Sequence, residues 1–157
     1  MNVPQQYALR VSNYLINQSV VEDITVPAKK VDVHVQDASG NPISGVSIKT
    51  AGGGQSGVAI SSNITNAKVG SQYGAGVPAP QTDASGNVTL WLTEGVSPPY
   101  EFIAIPPSGS PYSQFVLSNI IITENQTEII SLQYNHATPV TAIDLVTEHA
   151  DGTYSEP

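Results

Sequence analysis

The chain has 157 residues, 13 of them acidic and five basic, and its net charge is −8. Nucleic acids and anionic membrane surfaces are bound by clusters of Lys and Arg, so this balance argues against both as partners. The sequence contains no cysteine, which excludes disulfides, thiolate metal sites and a cysteine nucleophile. No run of 18 apolar residues is present, and membrane insertion is therefore not expected.

The composition favours an all-β protein. Thirteen glycines and 12 prolines accompany abundant Ser, Thr, Asn and Val, which is typical of short strands joined by many turns. No window has the 3.6-residue apolar spacing of an amphipathic helix.

Residues 1–27 form the first segment, with a predicted strand at YALRV. The pattern from Tyr7 to Gln36 resembles the pattern from Tyr100 to Gln133. One interpretation is that residues 1–27 are the end of a preceding module. The other is that any two strand–loop–strand pieces look alike. The first ten residues lack the features of a secretion signal, so a signal is expected outside this sequence.

The segment VDVHVQ alternates, with Val31, Val33 and Val35 on one face, and predicts a half-buried strand. The pentapeptide DASGN follows as a turn, and VSIKT resumes the alternation. Residues 51–82 are rich in Gly, Ser, Ala and Pro. They predict a long loop with one strand at VAISS. The role of this loop is left open.

A second DASGN begins at Asp83 and leads into the strand VTLWLT. EGVSPP then predicts a turn, YEFIAI a strand, and FVLSNIIITENQTEIISLQY two strands divided at ENQT. About seven short strands at this spacing predict an antiparallel sandwich over residues 28–135. The predicted core consists of Val31, Val33, Val35, Val46, Ile48, Val88, Leu90, Leu92, Phe102, Ile130 and Leu132. Residues 136–157 are expected to be a linker or the start of a following module.

Three runs carry a family resemblance: V-x-V-x-D-A-S-G-N-P-I-S-G-V-S-I, T-D-A-S-G-N-V-T-L-W-L and G-V-S-P-P-Y-E-F-I. Over about residues 28–134 the chain resembles bacterial Ig-like and carboxypeptidase regulatory-like modules. That resemblance implies an Ig-like or prealbumin-like sandwich. It also implies a spacer, stalk or surface-display role in a secreted multidomain protein, in some cases beside glycan-acting enzymes. The Gly-rich stretch 51–81 departs from the compact family pattern.

The repeated DASGN raises the question of calcium. Asp83, Ser85 and Asn87 have the 1, 3, 5 spacing of a calcium loop, and Glu94 falls at position 12. However, position 6 is Val88 rather than Gly, and the predicted strand carries Glu94 roughly 20 Å away. The pattern therefore favours two turns, with calcium at Asp83, Ser85 and Asn87 kept as a weaker alternative and no other metal expected.

Trp91 is the main candidate for ligand binding, because alternation places it opposite the apolar side of its strand. It is expected either to lie open on the outer sheet face or, as the favoured state, to be covered by the N-terminal segment or the 51–81 loop. An open Trp91, with Tyr73, Tyr100 or Tyr112, could stack on sugar rings.

No nucleophile–base pattern and no cofactor motif is present, so no catalytic residue is predicted. The favoured function is a non-catalytic structural or adhesive module of an extracellular or cell-surface bacterial protein. Its expected partners are the neighbouring domains of the same polypeptide. The alternative is a carbohydrate-binding module attached to a glycan-acting enzyme, with glycans as ligands.

Overall fold

A computed structural model describes residues 6–74, 78–135, 147–148 and 154–155. These residues form strands and no helix, which confirms the prediction of an all-β protein. The strands are β1 (Gln6–Arg10), β2 (Ala28–Asp37), β3 (Ser47–Gly52), β4 (Gln55–Val58), β5 (Ala67–Gln72), β6 (Asn87–Thr93), β7 (Gly95–Ile105), β8 (Phe115–Ile122), β9 (Gln126–Leu132), β10 (Thr147–Glu148) and β11 (Tyr154–Ser155).

Two three-stranded sheets form a sandwich. The first sheet has the order β6-β2-β9 and the second has the order β3-β7-β8. Alternate side chains point inward along β2, β3 and β6, and the two inner faces share one apolar core. Ten of the eleven core residues predicted from alternation are buried there, while Val88 is partly buried and packs against them.

β2 lies at the centre of the first sheet and has a different relation to each neighbour. It pairs antiparallel with β6, from Ala28↔Thr93 to His34↔Asn87. It pairs parallel with β9, from Val31↔Gln126 to Asp37↔Leu132. The predicted sandwich is therefore antiparallel except for this one pair.

A third sheet, with the order β1-β5-β4, corrects the prediction for residues 51–82. That stretch holds β4, β5 and the end of β3 rather than a long loop with one strand, and β4 starts three residues before the predicted VAISS strand. The third sheet covers a small second cluster made by Ile60, Ile64, Ala67 and Val69. Gly and Ser replace β-branched residues along these strands, so the usual strand signal is weak.

The N-terminal strand is part of this third sheet, because β1 pairs with β5 from Gln6↔Gln72 to Arg10↔Lys68. At the other end, β10 and β11 form a short antiparallel pair. The rest of the predicted linker at 136–157 lies outside the described residues, as do residues 1–5.

The predicted turn at EGVSPP is wrong, because residues 95–99 belong to β7. Proline cannot donate to a ladder hydrogen bond and is confined to edges and irregular positions of a sheet. The register of β7 against β8 is irregular between Gly95 and Tyr100, where Pro98 and Pro99 lie. The strand therefore tolerates two prolines that suggested a break.

Candidate functional site

The two DASGN segments are turns held by their own aspartates. Oδ1 of Asp37 accepts the backbone N–H groups of Ser39 and Asn41 at 2.8 and 2.9 Å. Oδ1 of Asp83 accepts those of Ser85 and Asn87 at the same two distances. The prediction of two turns is confirmed, and the glycine of each turn lies in the left-handed region, with φ of +84° at Gly40 and +73° at Gly86.

This geometry bears on the calcium alternative. One carboxylate oxygen of Asp83, Oδ1, accepts two N–H groups of its own turn. Glu94, which would be position 12 of a calcium loop, forms an ion pair with Lys29 at 3.1 Å. Among the residues that the structure describes, no group of three or more His, Cys, Asp or Glu could hold a metal ion.

The second turn lies against the residues that flank the first turn on both sides, at one end of the sandwich. The Val35 N–H donates to the Gly86 carbonyl at 2.8 Å, and the Val35 carbonyl accepts the Ile43 N–H at 2.9 Å. His34 Nδ1 lies 2.8 Å from Asn87 Oδ1 across the strands. The repeated pentapeptide therefore connects β2, the start of β6 and the segment before β3.

Asp37 should make the fold sensitive to acid. The Asn41 side-chain amide, followed by the backbone N–H groups of Asn41, Ser39 and Gly40, holds the pKa of Asp37 below its ordinary value. A carboxyl with a lowered folded-state pKa stabilises the fold above its unfolded pKa, about 3.9. This stability is lost as the pH falls through the folded value. We expect Asp37→Asn to be less stable than the wild type at about pH 7, with the difference closing towards about pH 2.

Urea denaturation of both proteins across this range measures the difference. Asp32 and Glu22 also have lowered pKa values, so both proteins should lose stability in acid through these two groups, and only the difference between the two proteins reports on Asp37. A difference that stays constant with pH would contradict a role for the Asp37 charge.

The four aromatic candidates do not form one site. Tyr73 and Tyr100 are 5% and 0% exposed, so neither ring has an open face for stacking. Tyr112 packs on Tyr134, with ring centroids 4.8 Å apart, next to the end of β9. Trp91 lies at the other end of the first sheet, roughly 20 Å along β2 from that end.

Trp91 is 48% exposed on the outer face of the first sheet. The favoured prediction was a covered ring, and the structure corrects it. Its cross-strand neighbour is Lys30, whose Nζ lies 2.6 Å from Asp32 Oδ2. The Thr89 hydroxyl donates to Asp32 Oδ1 at 2.6 Å. An open indole thus borders a small polar network, and the hydrogen bond from Lys30 is the main cause of the lowered pKa of Asp32.

The N-terminal strand reaches the backbone of Trp91. The Trp91 N–H donates to the Tyr73 hydroxyl at 3.0 Å, and the Tyr7 hydroxyl donates to the Trp91 carbonyl at 3.4 Å. Burial, with Tyr73 and Tyr100 nearby, raises the pKa of Tyr7 to about 12, so its hydroxyl keeps its proton. Two tyrosines therefore cap the backbone of an edge strand that would otherwise be open.

Tyr100 is enclosed at the junction of the sandwich with the third sheet. Its hydroxyl donates to the Thr93 carbonyl at 3.0 Å and lies 3.0 Å from both Thr93 Oγ1 and Ser71 Oγ. A Cβ at Gly53 or Gly95 would fall within about 2.3 Å of the ring. The two glycines are needed to admit this ring, and the buried hydroxyls satisfy one another.

A groove lies on the outer face of the third sheet and was not predicted from the sequence. Its floor is the cross-strand pair Ala8 and Gly70, and Arg10 faces Lys68 at the next outward position. The groove has a volume of about 280 Å³ and continues over Ala8 and Gly70 into a cavity of about 510 Å³. The sequence signal for this groove was the small residues at outward positions of β1 and β5. It could not be recognised because the third sheet was not expected.

Comparisons with known proteins leave the family open. No family model matches the chain, and no curated protein matches it. Among solved structures, the Bacillus anthracis TIE protein aligns with 82% of this chain at 12% identity and a TM-score of 0.39. The aligned part is 24% of that protein's chain. A likeness at this level carries no argument about function. Within the described residues, no helix is long and apolar enough to cross a bilayer.

Proposed function

We propose that this chain is a non-catalytic, load-bearing β-sandwich module of an extracellular, multidomain cell-surface protein. Its partners would be the neighbouring domains of the same polypeptide. The resemblance of the two DASGN runs to bacterial Ig-like and carboxypeptidase regulatory-like modules supports this role. The use of polar side chains supports it too, because the aspartates of the turns and the hydroxyls around Tyr100 bond to the fold itself.

The parallel pairing of β2 with β9 is the observation that carries the proposal. β2 is the first strand of the sandwich in the chain and β9 is the last, and they pair at seven register positions. Tension along the chain acts first on β1, which pairs with β5, and then reaches the sandwich at the start of β2 and the end of β9. In a parallel pair these two points lie at opposite ends, so the ladder is sheared. Evenly spaced hydrogen bonds then bear the load together rather than one after another.

One edge strand of each sandwich sheet, β6 and β3, is protected in a way that fits a module which should not associate with its own copies. The edge of β6 is capped by Tyr7 and Tyr73. The edge of β3 is covered by the 78–82 segment, where the Ile48 N–H donates to the Pro80 carbonyl at 2.9 Å. Capped edges and a net charge of −8 both oppose edge-to-edge association.

Force applied along two directions tests the proposal. The chain has no cysteine, so introduced thiols give unique handles. Asp23→Cys with Gln133→Cys pulls before β2 and after β9 and shears the pair. Ser39→Cys with Gln133→Cys pulls both strands from the same end and peels them. All three positions are exposed. We expect the shearing variant to need several-fold more force in single-molecule unfolding, because unfolding under force follows the height of the unfolding barrier.

Both variants share the Gln133 handle and should have equal urea stability, which isolates the direction of pulling. Equal unfolding forces in the two geometries would contradict a load-bearing role for β2 and β9.

A carbohydrate-binding module remains the second candidate function. The observation that favours it is the half-exposed Trp91 ring beside Lys30, Asp32 and Thr89, since an indole face flanked by hydrogen-bonding groups suits a sugar ring. Tyr73 and Tyr100 cannot contribute because they are buried. Polysaccharide binding by the wild type and by Trp91→Ala tests this candidate, and binding that the variant keeps would contradict it.

A further inference from the structure

The groove on the third sheet, called here the Arg10–Lys68 groove, has a charge pattern opposite to that of the chain. Arg10 and Lys68 are direct cross-strand partners, so their side chains lie on the same face of the sheet. Like charges in this position repel each other. Neither has an ion-pair partner among the described residues, although the chain carries 13 acidic side chains. An anion between them would remove the repulsion.

Gly70 provides an independent observation. Each other described glycine either has a positive φ or, like Gly95, would bring a Cβ into contact with neighbouring atoms. Gly70 has no positive φ, and a Cβ there would meet nothing within 4 Å. Glycine weakens the interior of a strand, and where the fold does not need it, it often marks a place where a ligand approaches the backbone.

The lining of the groove indicates the class of ligand. Ser56 is the cross-strand partner of Lys68 and lies on the same face, and Gln72 lies on the face of Gly70 and lines the adjoining cavity. Amides and hydroxyls both donate and accept, as sugar hydroxyls require. Helical and proline-rich peptides are held in hydrophobic or aromatic-lined grooves, and of the groove's residues only Pro98 and Val69 have sizeable apolar side chains. The combined space is that of a small-ligand site.

We infer that the Arg10–Lys68 groove binds an acidic polysaccharide, with a carboxylate or sulfate between Arg10 and Lys68 and the adjoining sugar over Ala8 and Gly70. This inference does not depend on the load-bearing role of β2 and β9.

Calorimetric titration at low salt tests it with four probes: polygalacturonate, dextran sulfate, unmodified dextran and poly-L-glutamate. We expect binding to polygalacturonate or dextran sulfate that weakens at high salt, and none to dextran. Whichever anionic probe binds identifies carboxylate or sulfate as the anionic group. Binding to neither overturns the inference. Equal binding to dextran overturns it as well, and equal binding to poly-L-glutamate would assign the groove to acidic peptides instead.

Two sets of variants locate the site. Gly70→Leu should abolish binding by filling the groove, with a melting temperature equal to or above that of the wild type. The double variant Arg10→Gln, Lys68→Gln should bind at least about tenfold more weakly, since it removes both charge-assisted contacts. Lys49→Gln, an exposed cation outside the groove, is the matched control and should bind normally.

Unchanged affinity in the Gly70→Leu variant would overturn the inference, as would an equal loss with Lys49→Gln. Loss of binding in Trp91→Ala alone would place the sugar site on the outer face of the first sheet.

Discussion

Replacing Gly86 with alanine is expected to lower the free energy of unfolding by about 3 kcal/mol. A Cβ at this position would lie 2.5 Å from the Val35 carbonyl oxygen and 3.0 Å from Pro42 Cβ. The carbonyl cannot easily move away, because it accepts the Ile43 N–H and its residue's own N–H donates to Gly86. The clash therefore falls on the point where the two DASGN turns meet.

Gly40→Ala is the matched control. Gly40 occupies the same position in the first DASGN, with φ of +84° against +73° at Gly86. Its Cβ would meet nothing within 4 Å, so only the cost of a left-handed alanine remains, about 1 kcal/mol. Urea denaturation of both variants measures the difference. Equal losses would show that Val35 yields to the added methyl, and that the turns are less tightly joined than their hydrogen bonds indicate.

The sandwich could be predicted because alternation is strong where one face of a strand is buried. Val31, Val33 and Val35 are spaced two apart between polar residues, and all three are buried. A strand with one buried face leaves only one side for its apolar residues. The DASGN turns were predictable for a similar local reason, because the aspartate, the glycine and their hydrogen bonds lie within five residues.

The third sheet could not be predicted in the same way. β5 alternates as well, with Ala67, Val69 and Ser71 buried, but the residues are small and one is polar. Ser71 is buried because Thr93 and Tyr100 hydrogen bond to it, 22 and 29 residues away in the chain. Such distant partners leave no local pattern. Pro98 and Pro99 predicted a turn but lie in β7. There too a partner is distant in the chain, because the Pro99 carbonyl accepts the Gly53 N–H.

The candidate site shows the same division between local and distant information. The sequence placed Trp91 on the outward side of its strand, and the ring is indeed half exposed. Whether another segment covered the ring depended on where β1 would pair, which alternation does not indicate. The Arg10–Lys68 groove depends on the register of β1 against β5. Two cations 58 residues apart become neighbours only in that register, so no spacing rule could find them.

Replacing Tyr100 with phenylalanine is expected to lower the free energy of unfolding by about 2 kcal/mol, although the ring and its packing remain. The lost hydroxyl donates to the Thr93 carbonyl and contacts the hydroxyls of Thr93 and Ser71, all at 3.0 Å. Ser71, Thr93 and Tyr100 are at most 2% exposed, so water cannot replace the missing partner. Buried polar groups left without partners cost more than the net worth of one hydrogen bond.

Tyr73→Phe is the comparison, because it also removes one tyrosine hydroxyl. That hydroxyl accepts the Trp91 N–H at an edge where solvent has partial access. Its loss should cost about 1 kcal/mol in the same urea experiment. Equal effects of the two substitutions would mean that burial does not set the cost of the missing hydroxyl.

The position of the Tyr100 hydroxyl adds a second readout. Ser71 belongs to β5 in the third sheet, whereas Thr93 and Tyr100 belong to β6 and β7 of the sandwich. The hydroxyl therefore helps to hold the third sheet against the sandwich. In Tyr100→Phe, hydrogen exchange should accelerate more for the amides of β1 and β5 than for those paired between β2 and β9. A uniform acceleration would mean that the sheets unfold together and that the hydroxyl stabilises the whole domain rather than this junction.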